Sequence, residues 1–192
     1  MFNIPNCLTF FRILAIPLIA AIYFSGWQYS NWYCAALFTL AGISDALDGY
    51  LARKWNQTSK LGAFLDPVAD KLLVSTMLLL VMSNHELQKL FWSQFLFTIT
   101  VIVIISREIL VSALREWMAE LGQRTNVAVS QVGKYKTGFQ MTAIGGLLFT
   151  LPIFGLPILL ISEILLYAAG VLTIWSMTIY LMAAYKTVRE ED

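Results

Sequence analysis

The chain has 192 residues, of which 58% are hydrophobic, 14% aromatic and only 13% charged, with a formal net charge of +1. That balance, with a mean hydropathy of +0.70, excludes a protein built around one soluble core and gives no basic surplus for nucleic acid. It describes a chain whose length is spent on membrane helices, in one integral membrane domain covering residues 1–192.

The first apolar run, Leu8 to Phe24, contains Arg12 and has no basic residue ahead of it, so it reads as a span rather than a cleaved leader. Ser25-Gly26 breaks it, and a second span follows from Tyr33 to Leu51. A polar run from Lys54 to Ser59 precedes the third, Val68 to Met82, which is short unless its helix begins before Asp66. Ser83-Asn84 ends that segment, and Leu90 to Ser106 makes a fourth span. Beyond Gly122, Val132 to Leu151 and Leu156 to Tyr185 supply the fifth and sixth, parted by Pro152 to Pro157. The expected fold is therefore all-α with six transmembrane helices.

The basic residues orient it. With the amino terminus inside, every Lys and Arg except Lys89 falls at or within the cytoplasmic surface, from Arg12 to Arg189. Both termini are then cytoplasmic. Lys54, Lys60, Arg124, Lys186 and Arg189 need no further explanation than this. Cys7 and Cys34 are isolated and read as packing residues, and His85, the single histidine, falls on an outer loop. Glu163 lies within the last apolar run, where an interfacial or inter-helix hydrogen bond would satisfy it.

Four of the five aspartates fall in one window, residues 44–71, "SDALDGYLARKWNQTSKLGAFLDPVADK". Asp45 and Asp48 are three apart at the inner end of the second helix, and Asp66 and Asp70 are four apart at the start of the third, so each pair shares a helix face. A loop of about a dozen residues would make the two helices antiparallel neighbours whose carboxylates converge. Four anions at a partly dehydrated interface ionise together only around a multivalent cation. Carboxylate oxygens favour hard ions such as Mg²⁺ or Mn²⁺, and four aspartates suit two ions better than one. The plain alternative is acids neutralised by Arg53, Lys54, Lys60 and Lys71.

Neighbouring residues narrow the ligand. Gly49 and Ala52 leave a surface with little side chain, Arg53 offers a forked donor to phosphate, and Gly62 is permissive ahead of Asp66. A second basic group, Arg107, Arg115, Lys134 and Lys136, flanks the loop between the fourth and fifth spans and could take an anionic substrate, with Glu108, Glu116 and Glu120 as salt-bridge partners. Arg107 and Lys134 are the first choices; Arg115, about 12 Å further along a continuing helix, could instead lie in the interfacial surface.

From Asp45 to Asp70 the chain reads DxxDGxxAR, eight residues, then GxxxDxxxD. This resembles the signature of the CDP-alcohol phosphatidyltransferases without a departure. The segments "NIPNCLTFFRILAIP", "RKWNQTSKLGAFLDPVADK", "REILVSALREWMAELG" and "GKYKT" are similar to the bacterial phosphatidylglycerophosphate synthase branch, so the likeness spans most of the chain. The resemblance implies six membrane helices in a homodimer in the bacterial inner membrane, with the active site facing the cytoplasm. The implied reaction is transfer of the phosphatidyl group of CDP-diacylglycerol to sn-glycerol 3-phosphate, with two divalent ions. Asp45, Asp48 and Asp66 would be the main metal ligands, and Asp70 would help hold the second ion and act as general base. Gly49, Ala52, Arg53 and Gly62 would line the CDP site, bordered by Asn6, Thr9 and Arg12. Rival readings are the same donor chemistry with phosphatidylglycerol, serine or an inositol phosphate as acceptor, and a divalent-cation transporter. A di-iron bundle is disfavoured by the lack of any Glu-x-x-His pair.

Overall fold

The computed structural model describes residues 4–55, 60–120, 131–152 and 154–191, with the side chains of some helical residues left aside. Within them the protein is all-helical. Seven helices run in order: α1 (Ile4–Phe24), α2 (Ser30–Trp55), α3 (Lys60–Ser83), the short α4 (His85–Gln88), α5 (Gln94–Glu120), α6 (Gln131–Phe149) and α7 (Ile158–Glu191). Three stretches are long and apolar enough to cross a membrane by themselves: Asn6–Phe24, Gln94–Glu120 and Ile158–Lys186. Helices α2, α3 and α6 carry the charged and polar residues that lower their hydropathy.

Helices are the expected solution for such a chain, because hydrocarbon leaves no water for unpaired backbone groups. Pro17 and Pro67 are accommodated inside α1 and α3. Large apolar side chains face outwards throughout, among them Leu14, Phe24, Phe64, Trp92, Phe95 and Trp175. In water that surface would drive aggregation; against lipid it is the natural exterior.

The helices extend beyond the apolar runs that announce them. The helix of the short third span does begin before Asp66: α3 starts at Lys60, Asp66 and Asp70 lie inside it, and only residues 56–59 separate it from α2 rather than a dozen. Likewise α5 continues past Ser106 to Glu120 and α7 past Tyr185 to Glu191. Hydropathy marks where hydrocarbon ends, whereas a helix can continue into the polar interface. Gly122 lies outside the described residues.

The chain forms two compact units, Met1–Leu90 with Ile144–Ser162, and Phe91–Ala143 with Glu163–Asp192. In the first, α1 packs on both α2 and α3, around buried Ile19, Cys34, Phe38, Met77 and Leu78. One end of this unit is tied by polar contacts. Asn31 donates to Thr150 Oγ1 at 2.6 Å, and Asn84 donates to Tyr23 Oη at 3.2 Å. Asn84 also caps α4 by accepting from Leu87 N at 3.0 Å. The exposed aromatics Trp27, Tyr29, Trp32 and Tyr33 surround this end as an interfacial belt would. Gly26, at φ +67°, makes the α1–α2 turn. The aspartates sit at the other ends of the same helices.

Close helix packing appears at Gly146 of α6, where a Cβ would fall 1.9 Å from Ser162 Oγ of α7. In the second unit, Val111, Met118, Tyr180 and Ala184 form a buried cluster with Leu114 and Met177 against it. There Glu163 accepts from Trp92 N, in the segment before α5, at 3.1 Å and from the Tyr167 hydroxyl one turn on in α7, so its partners are a loop backbone group and its own helix rather than another helix. His85 is an exposed residue at the start of α4, and Cys7 and Cys34 are both free thiols.

Candidate active site

Asn6, Thr9 and Arg12 follow one another at three-residue intervals, which places them on one face of α1. All three are buried, Arg12 completely. Facing them are the aspartates of the two neighbouring helices. Arg12 Nη1 lies 2.9 Å from Asp45 Oδ1 of α2 and also donates to Asp70 Oδ1 of α3, while Nη2 donates to Asp48 Oδ2. Thr9 Oγ1 donates to Asp66 Oδ1. One face of α1 therefore gathers all four aspartates of the sequence motif.

The four are not equivalent. Asp48 has 4% of its side chain exposed and is anchored in the interior, whereas Asp45 and Asp70 each keep 46% and can be reached from outside. Three carboxylates meet one guanidinium, and Asp66 stands beside them on a neutral hydroxyl. Carboxylates gathered in a partly dry setting favour cations among them.

The donor set fits a divalent cation. Its ligating atoms are carboxylate oxygens, and two of them, from different helices, already meet at the single nitrogen Nη1. The oxygens surround the guanidinium rather than one another: among the described residues, no three acidic, histidine or cysteine side chains stand at metal-ligand spacing. Of the predicted nucleotide-site residues, Gly62 is buried at the start of α3. Gly49, Ala52 and Arg53 lie on α2 one to five positions after Asp48, but their side chains fall outside the described residues.

The second unit holds the other basic group. Arg107 of α5 and Lys136 of α6 are both buried, and both engage Glu108: Arg107 Nη1 stands 3.4 Å from Glu108 Oε1, and Lys136 Nζ donates to the same oxygen. Arg107 Nη2 donates to Ser176 Oγ of α7 at 3.3 Å. The guanidinium of Arg107 lies 5.7 Å from the centre of the Tyr180 ring, and that of Arg115 lies 5.3 Å from it. Arg115 is exposed yet reaches the same ring, two turns on from Arg107. The expectation that Glu108 partners these bases is met. Lys134, a first choice for this group, lies on α6 with its side chain outside the described residues.

Two buried cations thus share one carboxylate that keeps 18% of its side chain exposed. In this unit, four buried polar atoms have no hydrogen-bond partner among the described residues: Arg107 Nε, Gln140 Oε1, Thr173 Oγ1 and Tyr180 Oη. Polar atoms buried in this way carry a cost unless something pairs with them. Sequence reasoning did not single out Ser176, Tyr180 or Gln140. The signal available was the recurrence of polar residues at 173, 176 and 180, one helix face within an apolar run.

The family model for CDP-alcohol phosphatidyltransferase matches residues 2–175. Among curated proteins, the chain is 50% identical over 183 residues to the CDP-diacylglycerol–glycerol-3-phosphate 3-phosphatidyltransferase of Haemophilus influenzae, covering 95% of this chain and 94% of that one. It is 45% identical over 188 residues to the protein of the same name from Yersinia enterocolitica, covering 98% of each. For the Shigella flexneri protein of that name the figures are 44% over 183 residues and 95% of each chain.

Proposed function

The chain belongs to the CDP-alcohol phosphatidyltransferase family, and on that footing we propose that it transfers the phosphatidyl group of CDP-diacylglycerol to sn-glycerol 3-phosphate, releasing phosphatidylglycerophosphate and CMP. The observation that carries the reading is the gathering of Asp45, Asp48 and Asp70 from two helices around one point, with Asp66 held beside them. The acceptor is chosen by the names of relatives similar along nearly the whole chain.

Asp45, Asp48, Asp66 and Asp70 would hold two divalent ions, Mg²⁺ or Mn²⁺. Bound there, such ions supply charge that polarises the diphosphate of the donor and eases the departure of CMP. Asp48, the buried member, fixes the site, while the half-exposed Asp45 and Asp70 face the substrate. Asp70 also takes the proton of the attacking glycerol hydroxyl. That oxygen bonds to the phosphorus carrying the diacylglycerol, the bond from this phosphorus to the CMP oxygen breaks, and CMP leaves with the electron pair. Gly49, Ala52, Arg53 and Gly62 line the CDP moiety, with Asn6 and Thr9 at its border. Arg107 and Lys136, with Lys134 and Arg115, hold the acceptor's phosphate. Glu108, which contacts both Arg107 and Lys136, holds these two bases beside each other.

A donor with two acyl chains and a nucleotide needs a site at the membrane surface, which fits aspartates placed at helix ends. The protein is a multi-pass protein of the bacterial inner membrane, one domain of six spans with both termini in the cytoplasm, and acts as a homodimer. Purified protein given CDP-diacylglycerol labelled in its cytidine, plus glycerol 3-phosphate, tests the catalytic site. CMP release should stop with EDTA, return with Mg²⁺ or Mn²⁺, and be nearly absent in Asp48→Ala that still inserts and folds. A normally active Asp48→Ala protein would remove the aspartates from the reaction.

A further inference from the structure

Arg12 is wholly buried, and its charge is met by more opposite charge than it can balance. Its Nη1 serves Asp45 and Asp70 together, its Nη2 serves Asp48, and its Nε has no partner among the described residues. Among the described residues, the carboxylates alone hold the guanidinium in place. A buried arginine is costly unless paired, and clustered carboxylates repel unless a cation stands between them. Each side of this contact accounts for the other.

The geometry matters as much as the charge. A planar fork spans carboxylates that come from α2 and α3, which a single ammonium point charge would do less well. The oxygens it occupies on Asp45 and Asp70 belong to the half-exposed carboxylates, the ones an entering ion meets. Any cation that took those oxygens would have to compete with Nη1 for them.

We propose that Arg12 is the built-in counter-cation of the aspartate set: it holds Asp45, Asp48 and Asp70 together and competes with divalent cations for the same carboxylate oxygens, so that its charge sets how tightly they are held. The inference rests on the reading that these aspartates bind divalent cations. Arg12 acts here as a positioning residue, not as a group that touches the reacting atoms.

The test measures Mn²⁺ binding by electron paramagnetic resonance on the purified full-length protein in detergent, without substrates. Melting temperatures in EDTA and in Mn²⁺ are taken alongside. When a bound conformer must first be vacated, apparent affinity falls by the fraction of competent protein. Removing the competitor in Arg12→Gln should thus tighten Mn²⁺ binding by about tenfold. The same variant should melt lower than the wild type in EDTA and gain more from Mn²⁺. Arg12→Lys should fall between the two. A residue needed only for packing would lower the melting temperature without tightening the ion.

Asp48→Asn separates the layers of the argument. If it loses Mn²⁺ while Arg12→Gln binds the ion no tighter than the wild type, the role of Arg12 is wrong and the metal reading stands. If Asp48→Asn binds Mn²⁺ as the wild type does, the metal reading fails and takes this inference with it. Should Arg12→Gln not fold even with Mn²⁺, Arg12→Lys decides: tighter binding supports the proposal, and unchanged or weaker binding overturns it.

Discussion

Lys136→Gln isolates the acceptor subsite. In the wild type, the buried Arg107 and Lys136 both engage the part-exposed Glu108. The substitution removes one of the two positive charges of that group. An acceptor phosphate loses a charge-assisted contact whose worth is roughly 1.5 to 3 kcal/mol, or about tenfold to a hundredfold in affinity. That loss should appear as a raised apparent KM for glycerol 3-phosphate, with the KM for CDP-diacylglycerol changed by no more than about threefold. Arg107→Gln and Lys134→Gln should behave alike, whereas Arg53→Gln, inside the nucleotide motif, should do the reverse. Steady-state kinetics with each substrate varied in turn reads all four variants. If Lys136→Gln weakens the donor and spares the acceptor, the assignment of this basic group is wrong.

Other consequences can be checked independently. Gly146→Ala drives a methyl group into Ser162 Oγ, 1.9 Å from the new Cβ, and should lower stability by about 1 to 3 kcal/mol, seen as a lower melting temperature in detergent; an unchanged melting point would mean that α6 and α7 do not pack closely there. Glu163→Ala leaves Trp92 N without its acceptor, and should cost about 1 to 3 kcal/mol in the same assay without changing either KM. For topology, single cysteines at Thr58 and Gln123 in a background lacking Cys7 and Cys34 should react only with reagent on the cytoplasmic side, and one at Gln88 only from outside. Outside labelling at Thr58 would invert the orientation.

Much of the site was legible because helix geometry turns spacing into direction. Asp45 with Asp48, and Asp66 with Asp70, could be placed on shared faces before any coordinates, and α1 does meet both pairs. The partner of those acids was not legible. The plain alternative named the bases nearest in sequence, Arg53, Lys54, Lys60 and Lys71, and did not include Arg12, whose guanidinium stands among Asp45, Asp48 and Asp70 from 58 positions before Asp70. The spacing of Asn6, Thr9 and Arg12 was the clue, but without a packing partner a polar face on an apolar helix points nowhere. The apolar runs stop short of Lys60 and Glu120 because polarity marks the edge of hydrocarbon rather than the end of a hydrogen-bonded helix; a helix beginning before Asp66 and one continuing to Arg115 were nonetheless legible. The ring of Tyr180 between two arginines was hidden by the apolar character of its neighbours along α7.

The central claim is that this chain joins a phosphatidyl group to glycerol 3-phosphate, and an acceptor panel tests it most directly. Purified protein in mixed micelles with labelled CDP-diacylglycerol and Mg²⁺ or Mn²⁺ is offered glycerol 3-phosphate, phosphatidylglycerol, serine or inositol phosphate, and lipid product and CMP are both measured. The account predicts phosphatidylglycerophosphate and equimolar CMP with glycerol 3-phosphate and little product with the others. Faster turnover with any other acceptor, or no metal-dependent CMP release with any of them, would contradict it.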